Sequence, residues 1–271
     1  MEENYVNPIH FFWIGTEISS IEKLAFQSCL KAGMTPLLWC YNEFKDIPEG
    51  TIIMDATTIL PENEVRYYLD SMKLPIASVS DLYRYRLLNK IGGIYADTDI
   101  IFLKNIYSLN ITEYFCSTHE YTTEDHANCC LMRINKNSAV SQYLVQESEK
   151  RVEKFKKSAQ KPDYCEFGPF VVQQCAKELN VTVLPFDIIN PISWRWTTQL
   201  IAFNKPNVIF FFKQLIRLLL PVFYEKRGYF ITKNTIAVHL CNEMWKEHGI
   251  NKNSSFHRLS IVEKLRSKIL K

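Results

Sequence analysis

Two carboxylates stand one residue apart in an otherwise apolar run, Lys90 to Leu103, KIGGIYADTDIIFL. Burying a carboxylate costs several kcal/mol unless something offsets it, and the flanking Ile94, Tyr95, Ile100, Ile101 and Phe102 supply no cation. A compensating cation must come from elsewhere. Side chains of a regular strand repeat with a period of two, so Asp97 and Asp99 share one side while Thr98 faces the other. Carboxylates that close repel each other, and a hard divalent cation beside them turns the repulsion into binding. Mg²⁺ or Mn²⁺ held in this way keeps open positions that phosphate oxygens fill. Spacing alone is a weak signal, because Glu62 with Glu64 and Glu147 with Glu149 repeat it in polar, helix-like surroundings where surface charge explains it. Asp97 and Asp99 differ in their apolar context at the end of a strand, the edge at which open α/β sheets bind ligands.

The elements that must position this pair read as an α/β chain. IHFFWI (Ile9 to Ile14), PLLWCY (Pro36 to Tyr41) and TIIMD (Thr51 to Asp55) predict strands, and Ser19 to Lys31 predicts an amphipathic helix between the first two. That order makes a βαβ unit in a parallel sheet. SVSDLYRYRLLNKIGG predicts a helix with Ser80 or Asp81 as N-cap and Gly92 and Gly93 as its stop. The chain then enters the aspartate strand directly. EKRVEKFKKSAQK reads as a solvated helix face and TVLPFDIINP as a further strand and turn. With no internal repeat or low-complexity linker, residues 1–271 read as one α/β domain.

Composition agrees with that frame. A chain of 271 residues with 47% hydrophobic content can bury a sizeable core. Its formal charge of +3 is too slight to suggest a nucleic-acid partner. The eight cysteines (Cys29, Cys40, Cys116, Cys129, Cys130, Cys165, Cys175 and Cys241) show neither CxxC pairs nor the density of a disulfide scaffold, so reduced thiols are expected. The first residues, MEENYVNPIHFFWIG, carry acids where a secretory signal needs a basic region, and the apolar run is short. A cytoplasmic protein is the expectation.

Three stretches together resemble a known family. NPIHFFWIG, SVSDLYRYRLLNKIGGIYADTDI and HLCNEMW are similar, in order and spacing, to the DXD sugar transferases of glycosyltransferase family 32, relatives of the yeast initiating mannosyltransferases, the globotriaosylceramide synthases and the glucosylating domains of large clostridial toxins. The resemblance runs from Pro8 to Trp245, is most specific in the middle block, and is loose between Lys104 and Pro162. It implies a GT-A fold, with a mainly parallel central sheet and helices on both faces, and a UDP-sugar donor bound with Mn²⁺ or Mg²⁺. It also implies a glycan or glycolipid acceptor and retention of anomeric configuration, with the departing phosphate accepting the acceptor's proton.

Carried over residue by residue, the resemblance makes Trp13 the aromatic that stacks on uracil, a contact worth roughly 1–3 kcal/mol where base stacking has been measured. A core tryptophan is the plainer alternative, though the adjacent Gly15 lets a ligand come close. Phe11 reads as core. Asp81 and Arg84 match the SDxxR pair. They lie on one helix face, with Asp81 accepting from sugar hydroxyls and Arg84 holding sugar or phosphate as a bidentate donor. Tyr95 either contacts the donor or is a buried strand aromatic. His239, at the end of a strand in TIAVHL, is either a metal neighbour or a core histidine. Asn242, where many relatives carry serine, completes the metal shell, and the Trp245 indole N–H donates to a phosphate oxygen. EFGPF, with Phe167 where relatives have threonine, gives Gly168 and Pro169 a place on the acceptor side, with Glu166 a weaker candidate.

Two competing functions use the same residues differently. Glycosidase carboxylates face each other across a sugar at about 5–10 Å, which an adjacent pair on one strand does not do. A non-catalytic nucleotide- or glycan-binding module would keep Trp13 without needing the acidic pair. Separately, residues 207–229, NVIFFFKQLIRLLLPVFYEKRGY, are apolar but broken by Lys213, Arg217 and Pro221, short of the roughly 20 residues a spanning helix needs. They suit either a buried helix or an interfacial one on anionic lipid, peripheral on the inner face of the cell membrane. A bacterial surface polysaccharide or lipooligosaccharide is the acceptor that the family and the cytoplasmic reading suggest, with a hexose or N-acetylhexosamine as the transferred sugar.

Overall fold

A computed structural model describes residues 5–118, 126–158, 162–218 and 230–271, with the backbone alone for 214, 215, 217 and 218. The first strand, β1 (Pro8–Trp13), is followed by α1 (Ser20–Lys31) and β2 (Thr35–Cys40), and β1 and β2 run parallel along their whole lengths. This is the expected βαβ unit. Ser19 starts α1 through a capping box: its hydroxyl accepts from Ile21 N, and its own N–H donates to Glu22 Oε2 at 2.9 Å. Next come β3 (Ile52–Asp55), parallel to β2, a short α2 (Glu62–Arg66) and the long α3 (Ile76–Lys90).

Helix α3 starts earlier than its sequence suggests. Its N-cap is Pro75, and Ser80 and Asp81 lie well inside it. Serine and aspartate favour caps in isolation, but Val79, Leu82, Tyr83, Leu87 and Leu88 are all buried on this helix, and their burial outweighs the local preference. The C-terminal reading holds: Gly92 and Gly93 take φ of +77° and +103°, a region open to glycine, and turn the chain into β4 (Gly93–Ala96).

Strand β4 adds parallel to β1, and β5 (Ile100–Phe102) then leaves that sheet to pair antiparallel with β9 (Ala237–His239). The larger sheet continues through β7 (His126–Ile134), antiparallel to β4 and β6 (Tyr114–Thr118), and ends at β8 (Thr182–Val183), parallel to β6. Its order is β3-β2-β1-β4-β7-β6-β8, with β7 the one reversed strand among those described.

Helices cover both faces, as expected for an α/β fold with a mainly parallel sheet. On one face α3, α4 (Ala139–Lys156) and α5 (Pro169–Leu179) pack over Phe12, Trp39, Tyr95, Phe115 and Met132. On the other, α1, α6 (Phe186–Ile189) and the β5/β9 pair cover Ile9, Phe11, Leu38, Ile94 and Leu131. A third apolar cluster joins α1 and the outer side of β5/β9 to α7 (Val208–Leu218), α8 (Glu243–Glu247) and α9 (Ile261–Ile269). No helix among the described residues is long and apolar enough to cross a membrane.

Candidate active site

Asp97 and Asp99 lie where β4 ends and β5 begins, in a turn and not inside one strand. The regular alternation expected of them is broken because the chain is changing sheets there. Asp97 N–H still donates to Cys130 O of β7 at 2.8 Å, while Asp99 O accepts from Leu240 N, just beyond β9, at 3.1 Å. The turn between them closes through Ile100 N to Asp97 O at 3.1 Å. The carboxylates nevertheless converge: Asp97, Asp99 and His239 each offer one ligand atom, and these atoms lie within 4.8 Å of one another.

The cations that offset the aspartates come from distant elements. Arg84 Nη2 of α3 reaches Asp97 Oδ1 at 2.7 Å and Asp81 Oδ1 at 3.4 Å. Arg84 Nη1 also donates to Cys129 O, and the guanidinium lies over the Tyr95 ring at 4.6 Å. Desolvation pushes the Asp97 carboxyl up to about 7 against the pull of Arg84. Asp81 is buried and likewise raised by desolvation, with Arg84 and the Cys129 thiol working the other way. The Cys129 thiol donates to Asp81 Oδ1 at 3.4 Å.

Gly168, at the head of α5, explains how Asp81 is seated. A Cβ there would stand 2.7 Å from Asp81 Oδ2 and 2.9 Å from Cys129 Sγ. Tyr85 OH donates to Phe167 O at 2.8 Å and secures this turn, while Arg151 donates to Glu166 through both its carbonyl and its carboxylate. Glu166 is thereby engaged with α4, and the residue of EFGPF that meets the carboxylate site is Gly168. Tyr95 is fully buried on the α3 side, with its hydroxyl 3.2 Å from Ser80 Oγ. Of its two readings the buried aromatic is the one seen, because an inward-facing residue of β4 is covered by α3.

Strand β9 delivers His239 to the opposite side of the aspartates. Its Nε2 lies 3.3 Å from Asp99 Oδ1, and its Nδ1 lies 2.9 Å from Asn190 Oδ1. Asn190 Nδ2 is occupied by Ser117 O at 2.7 Å, which fixes the amide orientation and makes His239 Nδ1 the donor. Nε2 is therefore the nitrogen presented to the carboxylates, the arrangement in which a histidine serves as a metal ligand. Cys241, at φ +51°, sets its sulfur 3.4 Å from the same Nδ1. Burial would raise Asp99, but His239 in its imidazolium form, the Asn242 N–H and Lys252 outweigh it and hold the carboxyl below its usual range. That form is favoured, against burial of the ring, by Cys241, Cys130 and Asp99, and it carries on Nε2 the proton that a bound cation would replace.

Asn242 meets the site through its backbone, N–H to Asp99 Oδ2 at 2.7 Å, while its side-chain Nδ2 donates to Glu22 Oε1 at 3.2 Å. Trp245 departs from its expected role. It is fully buried in the third cluster, edge-on to Phe256, and its indole N–H is donated to Leu240 O at 3.0 Å. It anchors the loop that carries Asn242, and that N–H is not presented to a phosphate. Trp13 stands at the end of β1, half-buried, its Nε1 donating to Glu17 O at 3.0 Å. Phe11 is core, edge-on to Phe26.

Sequence reading missed Glu22, Asn190 and Lys252. Glu22 hides in a capping-box pattern, Asn190 in a turn and Lys252 in a polar loop, and each takes its meaning from a partner far along the chain. The donor set of two carboxylates and an oriented imidazole suits a divalent cation such as Mn²⁺, with Asp99 buried and Asp97 and His239 partly exposed.

Comparison with known proteins bears on the same residues. A family model described as a glycosyltransferase sugar-binding region containing a DXD motif matches residues 20–116. Among solved structures, the PaToxG glycosyltransferase has 16% identity and a TM-score of 0.48, over 98% of this chain and 86% of that one. The glycosyltransferase GlyE of Streptococcus pneumoniae TIGR4, in its apo form, has 11% identity and a TM-score of 0.47, over 99% of this chain and 61% of that one. The UDP-bound glycosyltransferase domain of the YGT toxin has 10% identity and a TM-score of 0.41, over 97% and 82%. Likeness at this level says nothing of donor or acceptor. No curated protein matches the chain significantly. The matched region runs from α1 through Arg84 and both aspartates to β6, about a third of the chain, and over that stretch its similarity to the sugar-binding region of DXD glycosyltransferases supports a glycosyltransferase enzyme.

Proposed function

We propose that the chain moves a hexose or N-acetylhexosamine from a UDP-sugar to a hydroxyl of a glycan acceptor, with retention of anomeric configuration, and uses Mn²⁺ or Mg²⁺ in doing so. The observation that carries this reading is the meeting of Asp97, Asp99 and His239 within 4.8 Å. These three residues would hold the cation, which when bound supplies positive charge against the leaving diphosphate. Arg84, buried with its guanidinium on Asp97, Asp81 and Cys129 O, fixes Asp97 in place for the cation and the donor. Asp81, wedged against Gly168, accepts from sugar hydroxyls, and Trp13 stacks on uracil. The acceptor hydroxyl is held beside the anomeric carbon from the Gly168–Pro169 side, and alignment there is the main source of rate. The departing phosphate takes the acceptor's proton, so no protein nucleophile is needed.

A glycosidase reading is disfavoured because Asp97 and Asp99 sit on one turn and cannot flank a bond. A binding module needs no oriented histidine beside two carboxylates. The test is a panel of UDP- and GDP-sugars incubated with the protein in Mn²⁺ or chelator, with released nucleotide and sugar read by mass spectrometry. UDP should be released from one UDP-sugar, only with metal, and not by a folded Asp99→Ala variant. Release that ignores both chelator and this substitution removes the metal mechanism, and tight UDP binding without any release leaves a binding module.

A glycolipid or surface polysaccharide acceptor, and work at the inner face of the cell membrane, belong to the same proposal. The support is α7, where Phe210 and Phe211 pack on Trp196 and Phe203 while Val208, Ile209 and Phe212 are 74%, 71% and 62% exposed beside exposed Lys213. This helix is neither wholly core nor wholly free. Arg217 has no described side chain, and residues 219–229 lie outside the described residues. Sedimentation with anionic vesicles that weakens with salt and with Lys213→Glu is the expected result. A wild type that ignores such vesicles at low salt rules membrane docking out.

A further inference from the structure

The strongest unassigned group near the site is Lys252, 153 positions beyond Asp99 and outside the region matched by the family model. Its ammonium lies 2.7 Å from Glu22 Oε1 and 5.5 Å from the centre of the Trp13 ring. Glu22 in turn accepts from Asn242 Nδ2 at 3.2 Å, and Asn242 N–H donates to Asp99 Oδ2 at 2.7 Å. Lys252 is therefore beside the ring offered to a nucleobase and is linked through Glu22 and Asn242 to Asp99, whose charge it feels, so a diphosphate joining the two would pass near its ammonium.

Its backbone is fixed for the task. Lys252 O accepts from Ser20 Oγ at 2.7 Å and from Arg266 Nη2 at 3.4 Å, and the neighbouring Asn253 Oδ1 accepts from Ser20 N at 2.8 Å. The loop is thus fastened to the start of α1 and to α9. The side chain keeps 20% exposure while Glu22 has none, so the ammonium is at the rim and its partner is beneath it. A lone carboxylate at the position of Glu22 would be costly, which explains why the pair exists. It does not explain why the lysine borders Trp13 and is linked to Asp99, where a divalent cation offsets only part of a nucleoside diphosphate's charge.

We propose that Lys252 is a diphosphate-binding residue of the donor site, sharing its ammonium between Glu22 and a phosphate oxygen. The proposal rests on the donor-site reading above. Binding of UDP, UMP and uridine is measured calorimetrically on the full chain in Mn²⁺ for wild type, Lys252→Gln, Lys252→Arg and Glu22→Gln. Lys252→Gln should weaken UDP on the order of tenfold or more, the size expected for a lost charged hydrogen bond, and leave uridine unchanged. Lys252→Arg should recover most of the loss, and Glu22→Gln, which keeps the capping pattern but turns an amide NH2 toward Asn242 Nδ2 and Lys252, should lose clearly less UDP affinity than Lys252→Gln. An unchanged UDP affinity in Lys252→Gln overturns the proposal, as does an equal loss for UDP and uridine or an equal loss in Glu22→Gln, since the pair would then be only a brace. A wild type that binds neither UDP nor uridine fails the donor-site reading itself.

Discussion

At the scale of single residues, the orientation of His239 is the most specific statement the site makes. Because Asn190 is held by Ser117 and holds Nδ1, Nε2 has one direction to face. Groups that orient a metal-ligating histidine typically contribute 10–100-fold in metal affinity. Asn190→Ala should therefore weaken Mn²⁺ binding about 10–100-fold, measured by titration with UDP present, while circular dichroism stays native. Wild-type affinity in that variant would mean that His239 is not a ligand or needs no guide. Residue type and local context sufficed to name Asp97 and Asp99, whereas His239 entered through the family resemblance, with a core histidine as the alternative. Sequence did not name Asn190 or Glu22, whose partners His239 and Asn242 lie 49 and 220 positions away.

At the scale of elements, two readings failed for one reason. The start of α3 and the supposed strand through Asp97 and Asp99 were judged on local preference, and in both the tertiary setting decides. Burial pulls Ser80 and Asp81 into the helix, and the step from large to small sheet turns the strand into a corner. The βαβ unit was legible because short continuous apolar runs and the helical period between them agree there. The contact between α5 and α3 gives a test. Gly168→Ala places a methyl 2.7 Å from Asp81 Oδ2, closer than real Cβ contacts, so Asp81 or the head of α5 must move. Overpacking of this kind costs typically 1–3 kcal/mol. The variant should stay folded, with a denaturation midpoint lowered accordingly and transferase turnover cut far more than UDP affinity. Full turnover would show that Asp81 need not sit where Gly168 allows it.

At the scale of the whole molecule, one contribution to pH stability comes from His10, buried in β1 opposite Tyr95 of β4. Its Nδ1 accepts from Trp39 Nε1 at 3.0 Å, and burial lowers its pKa from 6.5 to about 4, with the Gly92 backbone opposing. Between those values the unfolded chain takes a proton that the folded chain refuses, so the contribution of His10 to stability falls as the pH drops through the window, while the raised Asp97 works in the opposite direction. The full loss is about 3 kcal/mol, roughly 2 of it between pH 7 and pH 5. Glutamine can also accept from Trp39 but does not titrate. His10→Gln should therefore show a smaller drop in urea midpoint between pH 7 and pH 5 than wild type, and equal drops would acquit His10. The same long reach across the chain shapes how activity arises during synthesis. The parallel half of the sheet is complete at Ala96, yet Asp99 waits for Asn242, 143 positions later, and Glu22 waits for Lys252, 230 positions later. Chains emerge N-terminus first, so we expect nascent chains stalled before residue 237 to resist protease over the sheet and yet retain no UDP, an expectation that UDP crosslinking to such a chain would defeat. A chain cut short before β9 would on this expectation keep its sheet and lack a complete site.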